Sequence, residues 1–134
     1  MNDLAFVLRA VDLLRSHGVR TWLCGGWAEE LRGQRPPGEH ADVDLLYPAP
    51  DWARVDELEL DWVAAERTPS RRAFVLEGTM VELLLVERDS RGWFTRRAGQ
   101  RHDWPPDVFS TNGCVGVASA AALSGYRASY RRAA

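Results

Sequence analysis

Three acidic residues at two places in the sequence have the spacing of a metal site. Asp42 and Asp44 lie two positions apart in a predicted strand, residues 42–47, so their side chains project from one face, about 6 to 7 Å apart at the backbone. Two carboxylates placed in this way can bind a pair of metal ions roughly 3.5 to 4 Å apart. Hard oxygen ligands of this kind suit Mg²⁺. A solvated strand face is the alternative interpretation of the two aspartates alone.

Glu82 is the third carboxylate that fits this site. It lies in a second predicted strand, residues 79–86, on the same face as Leu84 and Val86. An unpaired charge among apolar side chains is costly, so we expect a metal ion or a reacting hydroxyl group to compensate it. We therefore predict that Asp42, Asp44 and Glu82 are catalytic residues that hold metal, and that Glu82 also accepts a proton.

A pair of glycines precedes the aspartates at a predicted change from strand to helix. The amides of Gly25, Gly26 and Trp27 would lie at the positive end of a short helix, and glycine has no Cβ to keep a phosphate away. These residues are predicted to bind the phosphates of a nucleotide. An ordinary strand-to-helix turn is the alternative, and Glu29 and Glu30 favour it because they would repel any phosphate that they faced.

Together these groups predict nucleotidyl transfer. An acceptor hydroxyl, deprotonated with help from Glu82, would attack the α-phosphorus of a nucleoside triphosphate in line. The metal ions and nearby arginines would carry the charge of the departing pyrophosphate. His40, which precedes the aspartates, is predicted to orient Asp44 or a phosphate, with a purely hydrogen-bonding role in the loop as the alternative.

The elements that must position these groups follow from hydrophobic spacing. Apolar residues at intervals of three and four predict a first helix that ends at His17 and Gly18, and Ser119 is the predicted cap of a late helix. The expected order is helix 4–14, strand 19–24, helix 27–32, loop 34–41, strand 42–47, helix 51–58, strand 62–65, loop 67–72, hairpin strands 73–76 and 79–86, loops with one or two short strands over 87–114, and helix 118–132. This order predicts an α/β (α+β) fold, a small mixed β-sheet backed by helices on one face, in a single domain of residues 1–134.

The composition excludes several classes of enzyme and partner. All 17 basic residues are arginines, which excludes a Walker-type phosphate loop with its lysine, kinase chemistry and Schiff-base catalysis. A formal net charge of -2 provides no overall basic field, so neither nucleic acid nor a membrane surface is expected as a partner. Cys24 and Cys114 lie far apart, and the opening segment is interrupted by charges, so we expect a reduced cytoplasmic protein without a leader or membrane anchor. A disulfide between the two cysteines is the alternative.

The motif that begins at the glycine pair resembles a known superfamily. The similarity lies in Gly25-Gly26-Trp27-Ala28, Leu31, Gly33, His40-x-Asp42-x-Asp44 and Val81-Glu82-Leu83. These residues resemble the polymerase-β-like nucleotidyltransferases, and within them the small antibiotic adenylyltransferases of the aminoglycoside and lincosamide type. The resemblance implies an enzyme with a minimal nucleotidyltransferase fold, two Mg²⁺ ions and ATP as substrate. It also implies transfer of AMP to a hydroxyl of a small molecule such as an aminoglycoside or lincosamide, an activity of antibiotic resistance.

One departure from the superfamily pattern affects the predicted nucleotide site. Relatives tend to carry an arginine two residues before the histidine, where this chain has Gly38, and Arg35 is the nearest substitute. Relatives also often place a basic residue on a late helix, and Arg127 occupies the matching position here. The resemblance therefore adds two arginines, and the predicted nucleotide-binding residues are Gly25, Gly26, Trp27, Arg35, His40 and Arg127.

The end of the chain affects the predicted acceptor. Relatives commonly continue into a longer helical region that helps to form the acceptor pocket, whereas this chain ends after one late helix. A homodimer is therefore expected as one way to complete the acceptor side. Two other functions stay open from the sequence: transfer of the nucleotide to a partner protein, as in nucleotidyltransferases paired with toxin genes, and a binding protein that keeps the fold without turnover.

Overall fold

The order of helices and strands follows the predicted alternation in its first half and departs from it later. A computed structural model describes residues 2–133, with side chains for residues 2–129. The described helices are α1 (Leu4–Ser16), α2 (Gly25–Leu31), α3 (Ala53–Asp56), α4 (Ala120–Ala133) and a 3₁₀ helix at Ala64–Glu66. The described strands are β1 (Trp22–Cys24), β2 (Asp42–Pro48), β3 (Arg71–Leu76), β4 (Thr79–Asp89), β5 (Gly92–Arg97), β6 (Gln100–Asp103), β7 (Phe109–Asn112) and β8 (Val115–Ala118). Among these helices none has both the length and the apolar character needed to span a membrane.

Helix α1 forms because its apolar residues recur on one face. Phe6, Val7 and Leu14 on that face are fully buried. At the start of the helix, Asp3 Oδ1 accepts a hydrogen bond from the amide of Phe6 at 2.8 Å. The predicted first helix is confirmed, and the chain leaves it at Gly18 with a φ of 79°.

One row of residues crosses four neighbouring strands at the centre of the sheet. Strand β2 pairs antiparallel with β1 and parallel with β4, and β3 pairs antiparallel with β4. The register places Cys24 opposite Asp44 and Asp44 opposite Glu82, and Ala73 of β3 follows opposite Glu82. Over the described residues the strand order is β6-β5-β4-β2-β1-β8-β7, with β3 beside β4. The sheet is mixed, as the sequence predicted.

The hairpin that carries Glu82 turns at the predicted residues. Glu77 and Gly78 have positive φ values of 49° and 81°, which is the pattern of a type I′ turn. Strands β3 and β4 then pair over six positions on either side of it. The turn therefore sets the register that places Ala73 opposite Glu82.

The opposite face of the same strands contributes to the hydrophobic core. Val43, Leu45, Val81 and Leu83 alternate with the acidic residues, and each is at most 1% exposed. They belong to one buried cluster with Phe6 of α1. Burying a side chain of this size stabilises a fold by about 1.5 to 3 kcal/mol. A one-residue slip would move all of these side chains to the other face, so the core determines which face carries the carboxylates.

Two elements predicted between β2 and β3, a strand and a helix, differ from the structure. The strand is wrong in type and the helix in length. Residues 62–65, predicted as a strand, contribute only an isolated bridge from Trp62 to Phe74 ahead of the 3₁₀ helix. The Trp62 indole donates to the carbonyl of Leu58 at 2.9 Å, which connects this segment to the turn that follows α3. Helix α3 is shorter than the predicted helix 51–58, and Asp51, two residues before it, accepts a hydrogen bond from the amide of Ala53 at 2.9 Å.

The segment from residue 87 to 114 is more regular than predicted. It contains the end of β4 and the whole of β5, β6 and β7, where one or two short strands among loops were expected. Its arginines and aspartates obscured the strand pattern because they pair with one another, as Arg101 does with Asp89 and Arg91 with Asp103. Residues 71 and 72, predicted as part of a loop, instead begin β3.

The late helix has the predicted cap. Ser119 Oγ accepts a hydrogen bond from the amide of Ala122 at 3.1 Å, at the start of α4. Leu123 is buried and Tyr126 is half-buried. Since α4 contacts α2, it brings these side chains towards the glycine pair that begins α2.

Candidate active site

The three predicted carboxylates converge on one place in the sheet. One oxygen from each of Asp42, Asp44 and Glu82 lies within 4.8 Å of the other two. Asp44 and Glu82 are direct neighbours across β2 and β4, and Asp42 lies two residues earlier on the same face. Parallel pairing of two strands that are distant in the chain therefore assembles the cluster, which we call the acidic triad.

The acidic triad brings three carboxylates, which carry charge of the same sign, together in a partly buried site. Burial, a hydrogen bond with Glu82 and repulsion from Asp42 raise the pKa of Asp44 to about 8. Burial and the charge of Glu82 also raise the pKa of Asp42. The guanidinium of Arg71 opposes both shifts, and its Nη1 lies 3.6 Å from Glu82 Oε1. Ionising all three carboxylates together is costly unless a further cation compensates them.

The glycine pair lies against the acidic triad and leaves no room for a side chain. Gly25 has a φ of 65°, and a Cβ on it would lie 2.3 Å from Asp44 Oδ2. A Cβ on Gly26 would lie 2.3 Å from Arg35 Nη1 and 2.9 Å from His40 Nδ1. Two basic groups therefore approach the backbone of Gly26, where the sequence predicted a phosphate site. Helix α2 begins at Gly25 itself, two residues earlier than predicted.

His40 is held in place by partners on two sides. Its Nε2 lies 3.0 Å from Glu30 Oε1, and its ring lies 4.3 Å from the ring of Trp27. The Trp27 indole is buried and donates to Asn2 Oδ1 at 2.9 Å, so this side chain supports the imidazole from the interior. Asn2 also donates to the carbonyls of His40 and Asp42, at 2.8 and 3.1 Å. The sequence did not identify Asn2 as part of the site because a single asparagine near the chain start belongs to no motif.

The acidic side chains of α2 have basic or amide partners. Arg127 of α4 donates two hydrogen bonds to the carboxylate of Glu29, and this pairing raises the pKa of Arg127. Hydrogen bonds with His40 and with the amide of Gly38 lower the pKa of Glu30. The expected repulsion between these glutamates and a phosphate is correspondingly weaker. Arg127, predicted to contact the nucleotide, does reach the site, with Glu29 as its partner.

A cavity of about 340 Å³ connects these groups. Its lining includes the backbone of Gly26, the carboxylates of Asp44 and Glu82, the apolar side chains of Leu46 and Leu123, and Tyr126. Arg71 and Arg127 are the arginines among its described lining residues. Arg71 was predicted to lie in a loop and Tyr126 on the late helix, and neither position belongs to a motif that would indicate a role in the site.

The thiol of Cys24 lines the same cavity without the properties of a nucleophile. Burial, followed by the charge of Asp44, raises the pKa of Cys24 to about 12. Cys114 is exposed, and both cysteines are free thiols, so the two do not form a disulfide. The reactive groups of the cavity are therefore its carboxylates.

The chain matches one family of known enzymes over most of its length. The sequence model of the aminoglycoside-2''-adenylyltransferase family matches residues 6–124. The chain belongs to this family. It is a nucleotidyltransferase, and the resemblance carried by the glycine pair, His40-x-Asp42-x-Asp44 and Glu82 is confirmed. Comparison with curated protein sequences gives no significant match.

Solved structures of this branch share the fold. The lincosamide antibiotic adenylyltransferase LnuA, solved with lincomycin bound, is 19% identical and has a TM-score of 0.67 over 87% of this chain and 80% of its own. ANT(2'')-Ia, solved in complex with adenylyl-2''-tobramycin, is 15% identical and has a TM-score of 0.66 over 97% of this chain and 76% of its own. The predicted fold class, a mixed sheet with helices in a nucleotidyltransferase arrangement, is therefore confirmed.

Proposed function

We propose that this member of the family transfers AMP from ATP to a hydroxyl group of an aminoglycoside or lincosamide antibiotic. The observation that carries the proposal is the convergence of Asp42, Asp44 and Glu82 within 4.8 Å, beside a cavity of about 340 Å³ that the glycine pair also lines. Family membership supports nucleotidyl transfer. The lincomycin bound to LnuA and the adenylylated tobramycin bound to ANT(2'')-Ia support an antibiotic as the acceptor.

The acidic triad fits divalent cations. Its three carboxylates provide hard oxygen ligands, and the raised pKa values of Asp42 and Asp44 indicate that the cluster lacks compensating positive charge. We propose that Asp42, Asp44 and Glu82 hold two Mg²⁺ ions. Bound Mg²⁺ neutralises phosphate charge and lowers the pKa of a coordinated hydroxyl group.

The phosphates of ATP are proposed to lie over the glycine pair. Arg35 Nη1 and His40 Nδ1 both approach the backbone of Gly26, so an incoming phosphate would meet two basic groups as well as backbone amides. Arg35 thereby supplies the charge that relatives place at the position of Gly38. Trp27, which was predicted to touch the nucleotide, acts in this proposal by supporting His40.

Arg127 is proposed to bind nucleotide while it shares its guanidinium with Glu29. Its side chain is 46% exposed, whereas that of Glu29 is 10% exposed. The glutamate therefore anchors a guanidinium that still has accessible N–H donors. Arginine has five such donors in a planar arrangement, and two of them are engaged by Glu29.

The chemical step is an in-line displacement at the α-phosphorus. The carboxylate of Glu82 takes the proton of the acceptor hydroxyl, and the oxygen forms a bond to the α-phosphorus. The bond from this phosphorus to the β-phosphate oxygen breaks, and pyrophosphate leaves with the bonding electrons. The products are the adenylylated acceptor, pyrophosphate and one proton released to solvent.

An acceptor screen with ATP labelled at the α-phosphate tests the proposal. Aminoglycosides and lincosamides are incubated separately with the protein and Mg²⁺, and labelled product and pyrophosphate are measured. We expect turnover with at least one acceptor, and a loss of more than roughly 100-fold in kcat/KM for Asp44→Asn, since even a residue that only supports a metal ligand can contribute that much. Asp89→Asn, on an exposed network away from the cavity, is the matched control.

The screen also separates the alternatives raised by the sequence. Label that appears on a copurified protein and on no antibiotic would indicate modification of a partner protein. Nucleotide binding without product on any acceptor would indicate a binding protein. Turnover that survives Asp44→Asn unchanged would contradict the proposed role of the acidic triad.

A further inference from the structure

Arg71, in a segment predicted to be a loop, lies on the far side of the acidic triad from the glycine pair. Arg71 begins β3, where it pairs with Leu84, two positions from Ala73, the partner of Glu82. Because side chains two apart in a strand share a face, Arg71 lies on the same face as Glu82. Crossing the sheet from β1 to β3, the site therefore runs from the glycine pair through the triad to a guanidinium.

The guanidinium of Arg71 is held from behind by an acidic residue outside the triad. Its Nη1 lies 3.2 Å from Glu66 Oε2 on the 3₁₀ helix and 3.6 Å from Glu82 Oε1. Within the described part of the chain, the hydrogen bonds of this guanidinium are confined to Nη1. Arg71 is 36% exposed at its side chain and lines the cavity. Its Nε and Nη2 donors are therefore available to a ligand in that cavity.

The second arginine of the cavity has a different set of contacts. Arg127 is engaged by two hydrogen bonds to Glu29, on the α2 side of the cavity. Arg72, the sequence neighbour of Arg71, is 7% exposed and pairs with Asp56. Arg71 thus differs from both, because its closest acidic partner inside the cavity belongs to the acidic triad itself.

We propose that Arg71 binds a non-bridging oxygen of the transferred α-phosphoryl group. This inference rests on the proposed nucleotidyl transfer, which requires that phosphoryl group to lie over the acidic triad, next to Glu82. When divalent cations occupy the triad, their charge offsets the attraction between Glu82 and Arg71. The guanidinium, still held by Glu66, then faces the charge that develops on the phosphoryl group, and a charged hydrogen bond there stabilises the transition state.

The proposal makes two binding measurements change in opposite directions. Arg71 is a positive charge beside a cation site, so its removal should leave the affinity of the nucleotide-free protein for Mn²⁺ unchanged or increase it. The same removal should weaken binding of α,β-methylene-ATP, which is an anion, by about 10-fold. An arginine that only maintains the fold would weaken both kinds of binding together.

The experiment compares Arg71→Gln and Arg71→Lys with the wild type. Mn²⁺ binding without nucleotide, binding of α,β-methylene-ATP with Mn²⁺, and kcat/KM are measured for each. We expect kcat/KM to fall by about 100-fold in Arg71→Gln, with partial recovery in Arg71→Lys, which keeps the charge and loses the planar fork. Arg67→Gln is the matched control, because this nearby arginine is 59% exposed and pairs with Asp56.

Two results would overturn the role of Arg71 alone. One is that the wild type is active and Arg71→Gln differs from it by less than twofold, both in affinity for the analogue and in kcat/KM. The other is a parallel loss of Mn²⁺ and analogue affinity in Arg71→Gln, which would assign the residue to the fold. A wild type that neither binds the analogue nor turns over ATP with any acceptor would overturn both this inference and the proposed function.

Discussion

Two clusters of charged side chains on this sheet place aspartate in opposite surroundings. The acidic triad gathers three carboxylates of one sign in a cavity, with Arg71 at its edge. At the hairpins of β4 to β6, an exposed arginine–aspartate network alternates the two signs and consists of Asp89, Arg91, Arg101 and Asp103. In that network Arg101 lies 2.6 Å from Asp89 and 2.7 Å from Asp103.

The pKa values of one aspartate from each cluster show what this difference means. A hydrogen bond from Arg101 lowers the pKa of Asp89 to about 2, whereas burial and acidic neighbours raise the pKa of Asp44 to about 8. In the network, arginines of the chain itself compensate the charge of the aspartates. In the triad, the negative charge is compensated only when a proton or a cation binds. Such unfavourable charge is typical of sites where a ligand provides the compensation.

The largest effect expected from this comparison is a loss of stability of the metal-free protein as pH rises. Between about pH 4 and 8, folded Asp44 keeps a proton that the unfolded chain has already lost. Below and above this range, Asp44 has the same protonation state in the folded and unfolded chains. Each unit of pKa difference is worth about 1.4 kcal/mol. We therefore expect the free energy of unfolding to fall by several kcal/mol through this range, which thermal melts in EDTA would detect.

Asp44→Asn is the variant that isolates this effect. The amide cannot ionise, so the Tm of the metal-free variant should exceed that of the wild type at pH 8 and depend much less on pH. Addition of Mn²⁺ should raise the Tm of the wild type at pH 8 and leave that of the variant almost unchanged. A metal-free wild type with a constant Tm between pH 5 and 8 would contradict this account of the triad.

A second prediction concerns the glycine that touches the triad. Gly25→Ala places a Cβ at a φ of 65° and against Asp44 Oδ2, so it should both strain the backbone and displace a carboxylate. The backbone part should cost about 1 to 2 kcal/mol in the free energy of unfolding. Gly33→Ala is the matched control, because its φ of 72° is similar and no atom lies within 4 Å of its Cβ. Both variants should lose stability in urea titrations, and Gly25→Ala alone should also lose Mn²⁺ affinity.

The smallest effect is expected in the arginine–aspartate network. The lowered pKa of Asp89 stabilises the folded state above about pH 4, and this contribution is lost as the pH falls towards 2. Asp89→Asn should therefore lower the Tm slightly at neutral pH and low ionic strength. The decrease should vanish in about 1 M salt, because exposed pairs are screened. Turnover should not change, and a large loss of activity would show that the two clusters are coupled.

The parts of the site that could be predicted depend on local spacing. Asp42 and Asp44 share a face because of strand periodicity, and Glu77 and Gly78 form a turn because their types suit positive φ. The strands between residues 87 and 114 were obscured for a related reason. Charged residues such as Arg101 and Asp89 pair with one another there, and that pairing has no signature in a single stretch of sequence.

The sequence by itself determined which residue types the site would use, where the glycine pair and the two aspartates lie, and which enzyme superfamily the motif resembles. Only the tertiary structure decided that Glu82 would pair directly opposite Asp44, that Arg35 and His40 would approach Gly26, and that Arg71 would lie beside Glu82. The physical reason is that local spacing acts within one strand or turn. The partners across strands are selected by register, and register follows from burial of the core face of the whole sheet.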